Sequence, residues 1–507
     1  MNYSKIVRST LFVSFSTLII GMLNYTTLII LASRFGAKFE MDAFFSASTL
    51  PQIISSILLA TLSTTFLPVF IEEKQKDETN AWKVASIAVN LVFLILLVMG
   101  LSGNILSRNI ISLINPGFTA ETARLSASLF RWLIMATVFS GSSILFSSLY
   151  YSFYRFIKPL TAQLVNSGFV LLFVILMSPK MGIKSVAVGT FIGSLIQFTW
   201  LAPILFKKGK YTLNFDFRKR EILKLSRLML PLLVGAVFYK TYALVERFIA
   251  SRLGEGSISY LGYSNKIITA MLIVISQGLS TVLFPKMSEL SAIKNYQQLR
   301  ETMSRAVGVV ITLSLPVATY IILFKHDIIR LIFERGNFST QATEAIANVL
   351  VVSLGFFVAA SLSLPIVNTL YSLQETTKVA GVGIFGFSLF ILLAHLLSLR
   401  YSYLGIALAA SIQYVISLSI FVFILAKKIG FEGLNLFKTT TKVIIISILS
   451  WLIVFQAKSW LKAATGFPGN FLLSSMVFCL VVLLLLIIFR VEETRLIVLK
   501  FFSKRTS

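Results

Sequence analysis

The sequence is short of cysteine, histidine and acidic residues. It has one cysteine, Cys479, so no disulfide framework is available. It has two histidines, His326 and His395, neither with ligand residues at metal spacing, and both read as structural. Only 13% of residues are charged, about half the share of a soluble domain. No nucleophile–base set, metal cluster or glycine-rich phosphate loop is visible, which argues against an enzyme and against a bound cofactor or metal. The acid found away from span ends is Glu246, too little for a membrane glycosyltransferase.

Hydrophobic residues dominate instead, at 56%, with 44 phenylalanines and a mean hydropathy of +0.86. A bilayer core takes about 20 apolar residues per helix. On that ruler the chain divides into fourteen spans, the first near 9–33 and the last near 470–489. The expected fold is therefore an all-α integral membrane protein with about 14 transmembrane helices. Pro51, Pro231, Pro316 and Pro365 lie inside spans and predict kinks. The first span is too long for a signal-peptide core and belongs to the repeat described below. Lysine and arginine outnumber acids 46 to 20, a net charge of +26. They are spread over short loops, so they imply no nucleic-acid partner. With the N-terminus inside, they favour inner segments roughly two to one, which predicts both termini in the cytoplasm. The richest loop, 207–227, holds Lys207, Lys208, Lys210, Arg218, Lys219, Arg220, Lys224 and Arg227. It reads as a topology determinant and linker, with attraction to anionic headgroups the sharper alternative.

The chain repeats itself at an offset of about 218 residues. Ser33-Arg34-Phe35-Gly36 returns as Ser251-Arg252-Leu253-Gly254, and Leu62-Ser63-Thr64 as Leu279-Ser280-Thr281. Gly117-Phe118 is answered by Gly336 and Phe338, Tyr151-Ser152 by Tyr371-Ser372, and Ile196-Gln197-Phe198 by Ile412-Gln413-Tyr414. Each half holds an even number of spans, so both enter the membrane in the same sense. This predicts two six-helix lobes related by a pseudo-two-fold along the membrane normal, with two helices appended. The domains expected are an N-lobe at 1–206, a basic linker at 207–227, a C-lobe at 228–427, and spans 13 and 14 with a tail at 428–507.

Charges inside spans are functional candidates by default. Lys240, Glu246 and Arg247 lie in the seventh span and Lys266 in the eighth. Their first-half counterparts, Met22, Leu28, Ile29 and Ser48, are all uncharged. The shared scaffold therefore does not need these charges. Lys240, Arg247 and Lys266 read as cavity cations for an anionic group such as pyrophosphate. Glu246 and Asp42 each read either as an ion-pair partner or as a coupling group. The first half is polar but uncharged there. Asn24, Thr27, Gln52, Ser55 and Ser56 suit contacts to a sugar, or simply glue between helices.

Three stretches, Met41-Asp42-Ala43-Phe44-Phe45 through Leu50-Pro51, Leu331 to Phe338, and Leu370 to Thr376, resemble the MviN/MurJ family of the multidrug/oligosaccharidyl-lipid/polysaccharide exporter superfamily. The likeness covers nearly the whole chain. It implies a flippase for a polyprenyl-pyrophosphate-linked glycan, above all the peptidoglycan precursor lipid II. It also implies a bacterial inner-membrane location, membrane lipids as partners, action as a monomer, and a lipid-tail groove on spans 13 and 14. The family's cavity arginines of helices 1 and 2 fall here on Gly21, Thr27, Ser55 and Ser56, while Asp42 and the basic position of helix 8, Lys266, are kept. Another lipid-linked oligosaccharide, a cation-coupled multidrug exporter, or a scaffold that no longer transports are the other readings.

Overall fold

The computed structural model describes residues 3–208, 211–430, 436–464, 466–491 and 493. Lys210 and the expected tail beyond residue 493 lie outside the described residues. The described chain is helical, with no strand. In the first half run α1 (Tyr3–Phe35), α2 (Phe39–Lys76), α3 (Glu78–Ile105), α4 (Ser107–Ile114), α5 (Ala120–Ser152), α6 (Ile157–Met181), α7 (Lys184–Leu201) and α8 (Pro203–Lys208). The second half holds α9 (Arg220–Lys240), α10 (Tyr242–Ala250), α11 (Ser257–Leu272), a π turn (Ile273–Gln277), α12 (Gly278–Ala292), α13 (Tyr296–Ile332), α14 (Thr340–Val352), α15 (Leu354–Ser372) and α16 (Thr376–Ile429). The chain closes with α17 (Leu436–Ala464) and α18 (Gly469–Ile488).

Twelve of the described helices are long and apolar enough to cross a membrane. The difference from the fourteen expected spans has two sources. The 54-residue α16 covers two spans, because its backbone leaves helical geometry at Ser402. The expected seventh span is split into α9 and α10 at Thr241. Helices suit this sequence because a helix satisfies its backbone groups within itself, as a bilayer requires. The hydroxyls follow the same rule: Thr27, Thr61 and Thr65 each donate to the carbonyl four residues earlier.

Two of the breaks follow the repeat rather than the prolines. Leu106, between α3 and α4, is answered by Phe324 inside α13, where φ and ψ are −113° and 17°. Gly182, between α6 and α7, has φ 57° and ψ −146°; its counterpart Ser402 has φ 52° and ψ −138°. Pro51, Pro316 and Pro365 are buried within helices whose φ and ψ stay helical at those positions.

The structure divides into two compact units. The first is residues 1–259 with 335–339, and the second is 260–334 with 340–507. The first is centred on Leu62, Phe66 and Phe70 of α2, Trp82 to Val89 of α3, and Leu145, Phe146 and Leu149 of α5. The linker is strapped to this unit. Asn90 accepts from the Tyr211 hydroxyl at 2.8 Å and donates to the carbonyls of Thr212 and Asn214 at 3.1 Å. Lys219 donates to Asn80, which donates in turn to Glu221, and Lys224 pairs with Glu72 at 2.6 Å. In the second unit α17 and α18 pack on each other and on α13. Phe324, Phe471 and Phe478 form an aromatic cluster with Tyr320, whose hydroxyl bonds Ser475 at 2.8 Å.

Candidate functional site

Three of the charges in the second-half spans, Lys240, Glu246 and Arg247, flank the break between α9 and α10. Lys240 is the last residue of α9 and is exposed. A cation suits a helix C-terminus, where the unpaired carbonyls carry partial negative charge. Two turns on, Arg247 is buried against α2. Its guanidinium pairs with Glu246 at 3.1 Å and donates to the Thr49 hydroxyl at 3.3 Å and the Ile258 carbonyl at 3.2 Å. The Phe45 ring lies 5.9 Å from its centre. A buried cation is tolerated only with such pairing. Arg247 is thus committed to a structural bridge, and Glu246 is its counter-ion. Lys266 sits in α11, in the second unit, and is exposed.

Asp42, in the first turn of α2, is buried at 3% exposure. Its carboxylate accepts from the Gly256 amide at 2.6 Å, the Ser259 amide at 2.7 Å and the Ser259 hydroxyl at 2.6 Å. These groups open α11, so Asp42 caps a helix more than two hundred residues away in sequence. Such an end carries orphan N–H groups and partial positive charge. The polar candidates of the first half divide. Asn24 and Gln52 are exposed, Ser55 and Ser56 are half-buried, and Thr27 is buried. Thr27 and Ser56 spend their hydroxyl protons on the carbonyls of Leu23 and Ile53.

Sequence reasoning missed Thr49, Gly256, Ser259 and Asn90. Serine, threonine and asparagine are frequent in these helices, and only contact with a distant segment sets these four apart. A cavity of about 240 Å³ lies beside Asp42, lined by Phe39, Phe118, Glu121, Ser251, Glu255 and Ile258 among others. No group of described His, Cys, Asp or Glu side chains is placed to hold a metal ion.

A duplicated bundle of membrane-length helices, with Arg247 and Glu246 paired inside it, defines a multi-pass membrane protein. A family model described as "Lipid II flippase MurJ" matches residues 31–489. The chain belongs to that family. Among similar proteins, a probable lipid II flippase MurJ of Buchnera aphidicola (subsp. Acyrthosiphon pisum) is 27% identical over 347 residues, 66% of this chain and 67% of the relative. Another from Helicobacter pylori (strain J99) is 28% identical over 471 residues, 85% of this chain and 97% of the relative. Among solved structures, a lipid II flippase MurJ in an inward closed conformation superposes with a TM-score of 0.81 at 21% identity, over 94% of this chain and 98% of that one. An inward-facing multidrug resistance transporter of the MATE family reaches 0.67 at 15% identity, over 80% and 94%. These two structures establish the fold.

Proposed function

We propose that the protein flips lipid II, the polyprenyl-pyrophosphate-linked precursor of peptidoglycan, across the bacterial cytoplasmic membrane by alternating access of two lobes. Both termini face the cytoplasm and the protein acts as a monomer. Its partners are the lipid-linked glycan and membrane lipids, with no nucleic acid. The family match over residues 31–489 carries this reading. Lys240 and Lys266 are the pyrophosphate-binding cations: both are exposed on helices of the second half, and neither has a charged first-half counterpart. Arg247 acts as a positioning residue, neutralised by Glu246 and holding α10 on α2. Asn24 and Gln52, both exposed, are the sugar contacts of the first half. The apolar faces of α17 and α18, including Ile448, Leu452, Met476 and Leu480, hold the polyprenyl tail.

The fourteen-span reading supports two six-helix lobes, 1–206 and 228–427, joined by the linker at 207–227. Gly21, Thr27, Ser55 and Ser56 stand where the resemblance places the family's cavity arginines, which favours a second reading: a flippase for another lipid-linked oligosaccharide. Complementation decides between them. Expression in a bacterium depleted of its own lipid II flippase restores growth if lipid II is the cargo. Failure to grow, with the protein present in the membrane, rejects lipid II and favours the other glycan.

A further inference from the structure

A topology signal needs charge alone, and the linker carries more than charge. Leu213 is 74% exposed, Phe217 61%, and Phe206, just before the linker, 65%; Phe215 is exposed as well. The segment that presents them is fixed. Asn90 holds the carbonyls on both sides of Leu213, those of Thr212 and Asn214, and the Tyr211 ring lies 5.1 Å from that of Phe206. A water-facing strap gains nothing from holding four large apolar side chains outward. The start of α9 extends the same surface. Its Ile222 and Leu225 are buried in the core of the first unit. Arg220, Leu223, Arg227 and Leu230 form an exposed stripe on the other side, at helical spacing.

Charge completes the surface. Residues 211–230 hold five cations and two acids, a net charge of +3. Both acids are occupied: Asp216 accepts from the Arg218 amide at 3.0 Å, and Glu221 accepts from Asn80 at 3.1 Å. Lys219 and Lys224 are spent on Asn80 and Glu72. Arg218, Arg220 and Arg227 are exposed and make no ion pair among the described residues. Lys240, the proposed substrate cation of α9, is twenty residues beyond Arg220. That is about 200° round the helix, so the stripe is a separate surface.

We propose that this surface binds anionic phospholipids of the cytoplasmic leaflet. Phe206, Leu213, Phe215 and Phe217 enter the headgroup boundary, and the three arginines fork the lipid phosphates. A zwitterionic lipid offers the same phosphate with a cation beside it, which unpaired arginines disfavour. An anionic lipid offers net negative charge, which favours it about fivefold for each cation near the surface. The leaflet follows from the cytoplasmic termini proposed above; the binding needs neither that topology nor a substrate.

The test uses the full-length protein with Cys479→Ser and Phe215→Cys, labelled with bimane, in phosphatidylcholine nanodiscs. The discs contain a small share of phosphatidylglycerol or phosphatidylcholine, each with a doxyl quencher near its headgroup. The expected result is quenching about fivefold stronger by the labelled phosphatidylglycerol at low salt. The difference should shrink in 1 M salt, where the Debye length falls to about 3 Å. Arg220→Gln/Arg227→Gln should reduce it, and Arg220→Lys/Arg227→Lys should keep it. Equal quenching by the two lipids overturns headgroup recognition, and quenching by neither overturns contact with the bilayer. A preference lost in the glutamine and lysine variants alike overturns the role of charge. Both leaflets of a nanodisc have the same composition, so none of these results depends on orientation or on flipping. The leaflet is read separately, with Asn214→Cys and a membrane-impermeant maleimide. Labelling in inverted vesicles and not in intact cells is expected; the reverse overturns the cytoplasmic assignment.

Discussion

Position 402 carries serine where its first-half counterpart is Gly182. Both adopt φ near 55° with strongly negative ψ, a conformation that costs a side chain about 1–3 kcal/mol and glycine little. Ser402→Gly should therefore raise thermal stability in detergent, by about 1 kcal/mol after the added flexibility of the unfolded chain is deducted. An unchanged or lower melting midpoint would contradict the strain. Asp42 makes the opposite kind of prediction. Its two oxygens accept three hydrogen bonds from the start of α11. Asparagine has one acceptor oxygen and would turn its amino group toward an N–H donor. Asp42→Asn should cost about 2 kcal/mol, read as a lower melting midpoint. Sequence alone singled out Arg247 and Glu246 as charges in apolar runs, and the family resemblance drew out Asp42. It did not tell their partners, because Thr49 and Ser259 are indistinguishable from the many hydroxyls that only bond their own helix.

Elements break where tertiary contacts demand it. The prolines predicted kinks, yet the departures from helical φ and ψ fall at Phe324 and Ser402. At the second, Gly405 is so close to the Leu397 carbonyl that a Cβ would stand 2.2 Å from the oxygen. That tight corner turns one long apolar run into two spans, which the hydropathy ruler had already separated at 398 and 402. The split at Thr241 between α9 and α10 was not legible, since no glycine or proline stands there. Three unshared interruptions, at Thr241, Ser353 and the π turn, are in the second half, with one at Ala202 in the first; the unshared span charges Lys240, Glu246, Arg247 and Lys266 are all in the second half. The linker is also an element with a predicted response. Asn90 is buried and holds Tyr211, Thr212 and Asn214. Asn90→Ala should destabilise the protein by about 2–3 kcal/mol and speed protease cleavage within 211–219. Unaltered proteolysis would show that the strap is held by other means.

At the scale of the molecule, the repeat was the most informative signal. Hydropathy gave the membrane class, and the repeat added the twofold plan and the charge asymmetry. It could not show that the linker, α9 and α10 pack into one compact unit with the first half, since a covalent linker looks the same whichever neighbour holds it. Nor could it reveal why Ser-Arg-x-Gly and the Gly and Phe of the later loop recur, because Ser33 bonds Asn337 and Ser251 bonds Gly117, each in the other half. The residues proposed to bind pyrophosphate follow from that asymmetry, with Arg247 removed from the set by its burial against Glu246. Neutralising two cations proposed to serve the same phosphates should be close to additive or worse, since each charge-assisted bond contributes about 1.5–3 kcal/mol. Lys240→Gln and Lys266→Gln singly should each slow flipping by about tenfold or more, and the pair should abolish it. The most direct measurement is lipid II translocation by the purified protein in proteoliposomes, comparing wild type with the double variant at equal folded content. The expected result is translocation by the wild type and none above the protein-free rate by Lys240→Gln/Lys266→Gln. Equal translocation by both would contradict the site, and no translocation by the wild type would contradict the function.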